Sequence, residues 1–198
     1  AQQASVQRPV TRLPMPDDGR DMEKEIAVIM AGDGLALKGK KVLLKPNFVE
    51  AHPERPINTH VAVIASAAHA CLRLGAAEVI VGEASGHRRD PWFSVLNPSL
   101  RSILDKKVRC VDLNHGDAVA VPNKGGLTGL PHFYLAKPVA EADVLISLPK
   151  MKTHHWVGVT LCLKNLSHGS VNNASRSHPS PEENYVLDFI PAVVSLPV

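Results

Sequence analysis

The stretch Asp143-Val-Leu-Ile-Ser-Leu-Pro-Lys-Met-Lys-Thr-His-His155 decides the fold. Val144 to Leu148 is a mostly apolar run of strand length, and it reads as a strand buried on both faces of a parallel sheet. Pro149 ends it, since proline has no N–H to give to a sheet ladder. Lys150, Lys152, Thr153, His154 and His155 follow at once. The segment Thr160-Leu-Cys-Leu-Lys-Asn-Leu-Ser-His168 then repeats the theme with Lys164, Asn165 and His168. Cations, imidazoles and an amide therefore collect beyond the carboxyl end of a core strand, where open α/β sheets hold their ligands.

Working back from that strand, the chain alternates. Residues 1–20 contain three prolines and no periodicity, which predicts an extended arm. Asp21 caps an expected helix over about 22–36, with Met22, Ile26, Ile29 and Met30 on one face and Gly39 as its breaker. Lys41 to Lys45 is the first core strand, closed by Pro46-Asn47. Thr59 is the expected cap of a long helix to Leu74, and Gly75 suits the left-handed position beyond it. Glu78 to Val81 is the second strand. Asp90-Pro91 and Asn97-Pro98 are cap-plus-proline helix starts, and Val108 to Leu113 is the third strand. Ala118 to Val121 and His132 to Leu135 predict an antiparallel excursion, with a short helix over 136–142 before the strand at 144–148.

This order is that of an α/β fold: a mostly parallel wound sheet with flanking helices and a small antiparallel excursion. Residues 21–198 are expected to form one domain. The apolar segment Val186 to Val198 stops without completing an α/β unit, so the domain is expected to be truncated at its C-terminal end or completed by a partner.

Composition removes several function classes. The 198 residues carry a net charge of only +3, with Lys and Arg dispersed, which gives no electrostatic footprint for nucleic acid. Aromatics make up 4%, too few for base-stacking platforms. No apolar run approaches the roughly 20 residues of a membrane-spanning helix. Cys71, Cys110 and Cys162 are far apart and form no CxxC, so an iron–sulfur cluster within this chain has no support. All three thiols read as packing residues rather than chemical ones. The Gly82-x-x-x-Gly86 spacing fits neither a dinucleotide fingerprint nor a phosphate loop, and Ser85 lacks the flanking pattern of a hydrolase nucleophile.

Lys45-Pro-Asn47, Gly75-Ala76, Val81-Gly82-Glu83, Leu148-Pro-Lys-Met-Lys-Thr-His154 and Leu163-Lys-Asn-Leu166, in this order, resemble domain-of-unknown-function family 362. The resemblance covers roughly residues 38–190. It implies a prokaryotic α/β domain, often exported with its signal peptide removed and sometimes fused to a ferredoxin-like module. That cysteine-rich module has no counterpart here, nor do the family's downstream Asp-Gly and Gly-Pro motifs. The resemblance brings no reaction with it.

The candidate site is therefore built residue by residue. Lys45, Lys152 and Lys164 stand at or near strand ends, where ammonium groups can converge on a carboxylate or phosphate. Asn47, Thr153 and Asn165 can orient such a ligand. Glu83, between Gly82 and Ala84, is a candidate general base or metal ligand, with a structural ion pair to Lys45 as the plain alternative. His154 and Lys164 complete the proton-transfer candidates. His154 with His168, and with His87 or His115 as further candidates, would supply imidazoles to a divalent metal ion, although no HExxH or HxH spacing fixes such a site. Asp112 and Asp117, at the end of the third strand, carry the same ambiguity as Glu83. The reading is a strand-end cleft for a small anionic ligand with a metal ion left open. The competing reading is an accessory subunit of a larger protein complex.

Overall fold

The computed structural model describes residues 10–14, 21–49, 57–84, 98–124, 131–154, 158–162 and 164–166. Most of the expected N-terminal arm, the helix start at Asp90-Pro91, and the segment from 167 onward lie outside these residues.

Four parallel strands form the sheet: β1 (Lys41–Pro46), β2 (Glu78–Glu83), β3 (Val108–Asp112) and β6 (Val144–Leu148), in spatial order β3-β2-β1-β6. The chain steps from β1 to β2 to β3 in one direction, then returns to place β6 on the far side of β1. That reversal lies between β1 and β6, where Lys45 is in register with Ser147 and Pro46 with Leu148. The α/β architecture expected from the alternation is the one observed.

Each face of the sheet has its own covering. Alternation along β1 sends Val42 and Leu44 to one face and Leu43 to the other. On the first face lie α2 (Val61–Arg73) and α3 (Pro98–Ile103), packing Ile64, Ala68, Cys71, Leu100 and Leu104 against Leu44, Val79 and Val81. The row of alanines on α2 lets its backbone approach the strands closely, and α1 (Met22–Gly32) stacks on α2 in turn. On the second face, the antiparallel pair β4 (Ala118–Pro122) and β5 (His132–Ala136) joins α4 (Lys137–Ala140) over Leu43, Ile80 and Leu113. Each fully buried leucine contributes about 1.5–3 kcal/mol. β7 (Lys152–His154) and β8 (Gly158–Thr160) form a small hairpin beyond the sheet.

The structure corrects several local expectations. α1 stops at Gly32 and is closed by Gly34, not Gly39: the Gly34 N–H reaches Ala31 O and the Leu35 N–H reaches Met30 O, both at 3.0 Å, with Gly34 at φ +74. Gly39 instead turns the chain into β1, its N–H donating to Gly75 O at 2.8 Å. The cap of α2 is His60, whose Nδ1 accepts from the Ala62 N–H at 3.2 Å, while Thr59 is bonded elsewhere. β6 is buried only at Val144 and half-buried from Leu145 to Leu148, because it is an edge strand among the described residues. Cys162 is exposed rather than packed. Cys71, by contrast, is buried, and loss of hydration pushes its thiol up to about 11.

Gly75 ends α2 by the same device as Gly34, with its N–H on Leu72 O, the Ala76 N–H on Cys71 O, and φ +86. A side chain at this φ is strained, so Gly75→Ala should cost about 1 kcal/mol in urea unfolding. Gly32 is exposed, is the last helical residue of α1 and has open space around it, so Gly32→Ala should stabilise in urea unfolding, by at most about 0.5 kcal/mol at a helix end.

Candidate functional site

At the carboxyl edge of β1 the last side chain of the strand proper is Lys45, and it is only 1% exposed. A buried ammonium costs several kcal/mol unless charge and hydrogen bonding are both answered. Both are answered here. Its Nζ forms an ion pair with Glu83 Oε1 at the end of β2, and donates to Pro46 O at 2.7 Å and to Asn165 Oδ1 at 3.3 Å. An ammonium has three N–H groups to place, and Glu83, Pro46 and Asn165 each offer this one an acceptor.

Glu83 is equally enclosed, at 2% exposure. Besides Lys45, its Oε1 accepts from the Ala84 N–H at 2.8 Å and its Oε2 from the Phe48 N–H at 2.7 Å. The carboxylate thus ties the chain leaving β1 to the chain leaving β2. Gly82 leaves room beside it, since a Cβ there would stand 3.1 Å from Leu113 Cδ2 and the leucine would have to give way.

Asn165 arrives from a separate segment. It sits in a helical turn after β8, with its N–H on Leu161 O at 3.1 Å, and its side chain is buried. Its Nδ2 donates to Lys45 O at 2.8 Å and to Ser147 Oγ at 3.0 Å, so the amide spans the β1–β6 reversal. With both donors placed, Oδ1 faces Lys45 Nζ and the Asn47 Nδ2 at 3.5 Å. Asn47 in turn accepts from Lys152 Nζ at 2.5 Å.

Thr59, the misread helix cap, holds this rim together. Its Oγ1 accepts from the Asn47 N–H at 2.9 Å and donates to Leu148 O at 2.6 Å, while its own N–H donates to Asn47 O at 3.0 Å. One buried hydroxyl therefore pins the loop after β1 to the end of β6. Asn58 adds a bond from the Val49 N–H at 2.8 Å. Neither residue carries a spacing signal, because their partners are set by tertiary contact.

The structure thus brings Lys45, Asn47, Glu83, Lys152 and Asn165 into one hydrogen-bonded chain. Lys164 is half-buried in the same turn as Asn165, and loss of hydration lowers its pKa below the ordinary lysine value. Thr153 is exposed on β7, opposite Val159. The backbone of His154 lies in β7 opposite Gly158, and His168 is outside the described residues. No group of three or more His, Cys, Asp or Glu residues suited to a metal ion occurs among the described residues. No helix among them is long and apolar enough to cross a membrane.

Fold and site together define an α/β domain with a buried charged network at the point where strand order reverses. The chain belongs to the family described as Domain of unknown function (DUF362), whose profile matches residues 42–192. It is also similar to a Synechocystis sp. protein named "Thylakoid-associated protein sll1697", with 30% identity over 134 residues. That alignment takes in 65% of this chain and 38% of the relative, so the chain spans well under half of that protein's length.

Removing one member of a buried pair leaves the other charge without compensation. Lys45→Met should lower unfolding stability by about 3–5 kcal/mol, and Glu83→Gln by a comparable amount. The double variant Lys45→Met/Glu83→Gln should lose clearly less than the sum of the two, as measured by a urea double-mutant cycle. Strict additivity would show that the two side chains do not act as a pair.

Proposed function

We propose that this domain binds a small anionic ligand at the carboxyl edge of its sheet. The observation that carries the reading is the convergence of Lys45, Asn47, Glu83, Lys152 and Asn165, from segments far apart in the chain, at the β1–β6 reversal. Open α/β sheets bind ligands at such switch points. In this reading the innermost groups are the seat and the outer ones are the contacts. Lys45, Glu83 and Asn165 already answer one another, which fixes the rim without exchange with solvent. Lys152 and Lys164, both half-buried, supply the positive charge a carboxylate or phosphate would meet, with Asn47 orienting it. His154 and Thr153, in the same hairpin strand, are further contacts in this proposal, and Glu83 acts through the geometry it holds.

A second reading, an accessory subunit docking onto another protein, is favoured by a different observation. Met151, Val159 and Leu161, on and beside the β7–β8 hairpin, are 77%, 51% and 43% exposed. Apolar surface gathered at one place marks an interaction face. The association stated in the relative's name belongs to that protein, and for this chain it is compatible with such a docking role.

Calorimetric titration with inorganic phosphate and with succinate separates the two. The anion-binding reading expects saturable binding that Lys152→Ala weakens by about tenfold or more, with the circular dichroism spectrum unchanged. Affinity should also fall as pH rises, beginning below the range of a free lysine, because Lys164 loses its proton early. Absence of saturable binding of either anion, or an unaltered affinity in Lys152→Ala, would contradict it.

A further inference from the structure

A pocket of about 330 Å³ opens beside α4, on the face of the sheet covered by β4 and β5, and shares no lining residue with the Lys45–Glu83 network. Its size falls in the range of small-molecule sites, roughly 300–1,000 Å³. Ile80, Val111 and Pro138 give it apolar walls. At one end the lining is a pair of side chains built by the turn that follows β3. Asp112 Oδ1 accepts from the Asn114 N–H at 2.8 Å, and Gly116 adopts φ +99 just beyond, so the turn folds back on the strand end. This places His115 Nδ1 at 2.7 Å from Asp112 Oδ2.

The two members of the pair differ in environment. The Asp112 side chain is 1% exposed and that of His115 is 71% exposed. An ionised carboxylate only accepts, so Nδ1 donates to Asp112, and in the imidazolium form of the ring the Nε2–H is a second donor left for an anionic ligand. Lys137 is brought beside the same turn, its backbone N–H donating to Asp117 O at 2.9 Å. The Lys137 ammonium pairs with Asp117 at 3.3 Å and Glu141 at 4.0 Å, while around the rim Lys41 pairs with Glu78 and Glu141, and Arg109 with Glu78. Exposed pairs of this kind are weak and re-pair readily with an incoming anion.

We propose that this pocket is a second binding site, for a small organic acid with an apolar body, its oxyanion held between the Lys137 ammonium and the Nε2–H of a His115 imidazolium positioned by Asp112. The apolar walls take the body, and the turn end takes the acid. The assignment is independent of the strand-end site.

The test titrates the full chain with benzoate and with phenyl phosphate, followed by calorimetry and by histidine side-chain NMR. Saturable binding of either probe is expected, weakened by about tenfold or more in His115→Ala and in Lys137→Ala, and unchanged in Lys152→Ala. Which probe binds identifies a carboxylate or a phosphate ester as the preferred acid. His115 and Lys137 are largely exposed, so both variants should fold. No saturation with either probe, an affinity that survives His115→Ala, or a loss on Lys152→Ala instead would overturn the second site. On adding the probe that binds, the His115 ¹⁵N shifts should move to those of a ring protonated on both nitrogens, and in Asp112→Asn this response should weaken; a response that does not change would remove Asp112 from the proposal.

Discussion

Burying an ammonium beside a carboxylate is the constraint on which this domain's sheet edge depends. Lys45 ends a strand whose preceding residues, Val42 to Leu44, are fully buried, so its side chain has no route to water that the fold leaves open. The charge must therefore be answered inside the protein. Glu83 does so from the neighbouring strand, and the price is that backbone N–H groups of Phe48 and Ala84 must be aimed at its two oxygens. The path of both loops follows from that requirement.

The same constraint explains how distant segments meet. Asn165 lies 120 residues from Lys45 in the chain, yet its amide serves the Lys45 carbonyl, the Lys45 ammonium and Ser147 at once. An amide used on three sides tolerates little displacement, so it fixes the turn after β8 against the β1–β6 reversal. Thr59 does the same for the loop after β1, through one hydroxyl that both accepts and donates. Together they give the rim a rigid inner layer, with Lys152 and Lys164 arranged outside it.

Much of this was legible in the sequence, for identifiable reasons. Strand runs ended by Pro46 and Pro149, and helices ended by Gly75, are written in single residues whose backbone chemistry admits few alternatives. Lys45, Glu83 and Asn165 stand out through their places at or near strand ends and in the Lys45-Pro-Asn47, Val81-Gly82-Glu83 and Lys164-Asn165 motifs; that Lys45, Glu83 and Asn165 are buried is read from the structure alone. The Lys45–Glu83 ion pair, the plain alternative to a catalytic Glu83, is the one the structure has; the contacts of Asn165 with them depend on tertiary placement that no local pattern states. Thr59 was misread because a threonine ahead of an apolar helix satisfies the capping pattern, whereas its actual partners, Asn47 and Leu148, come from other elements. The burial of β6 was overestimated for a similar reason: a run of apolar residues says what could be covered, not what covers it. Cys162, two residues before Lys164 and read as a packing residue, lies exposed.

Native-state hydrogen exchange of the Phe48 and Ala84 amides tests the central claim most directly. If Glu83 and Lys45 form the buried lock described, both amides should exchange only through global unfolding, with the slowness of the core strands. Exchange of either amide at the rate of an open loop would mean that the carboxylate is not held there, and the account of this edge would fail.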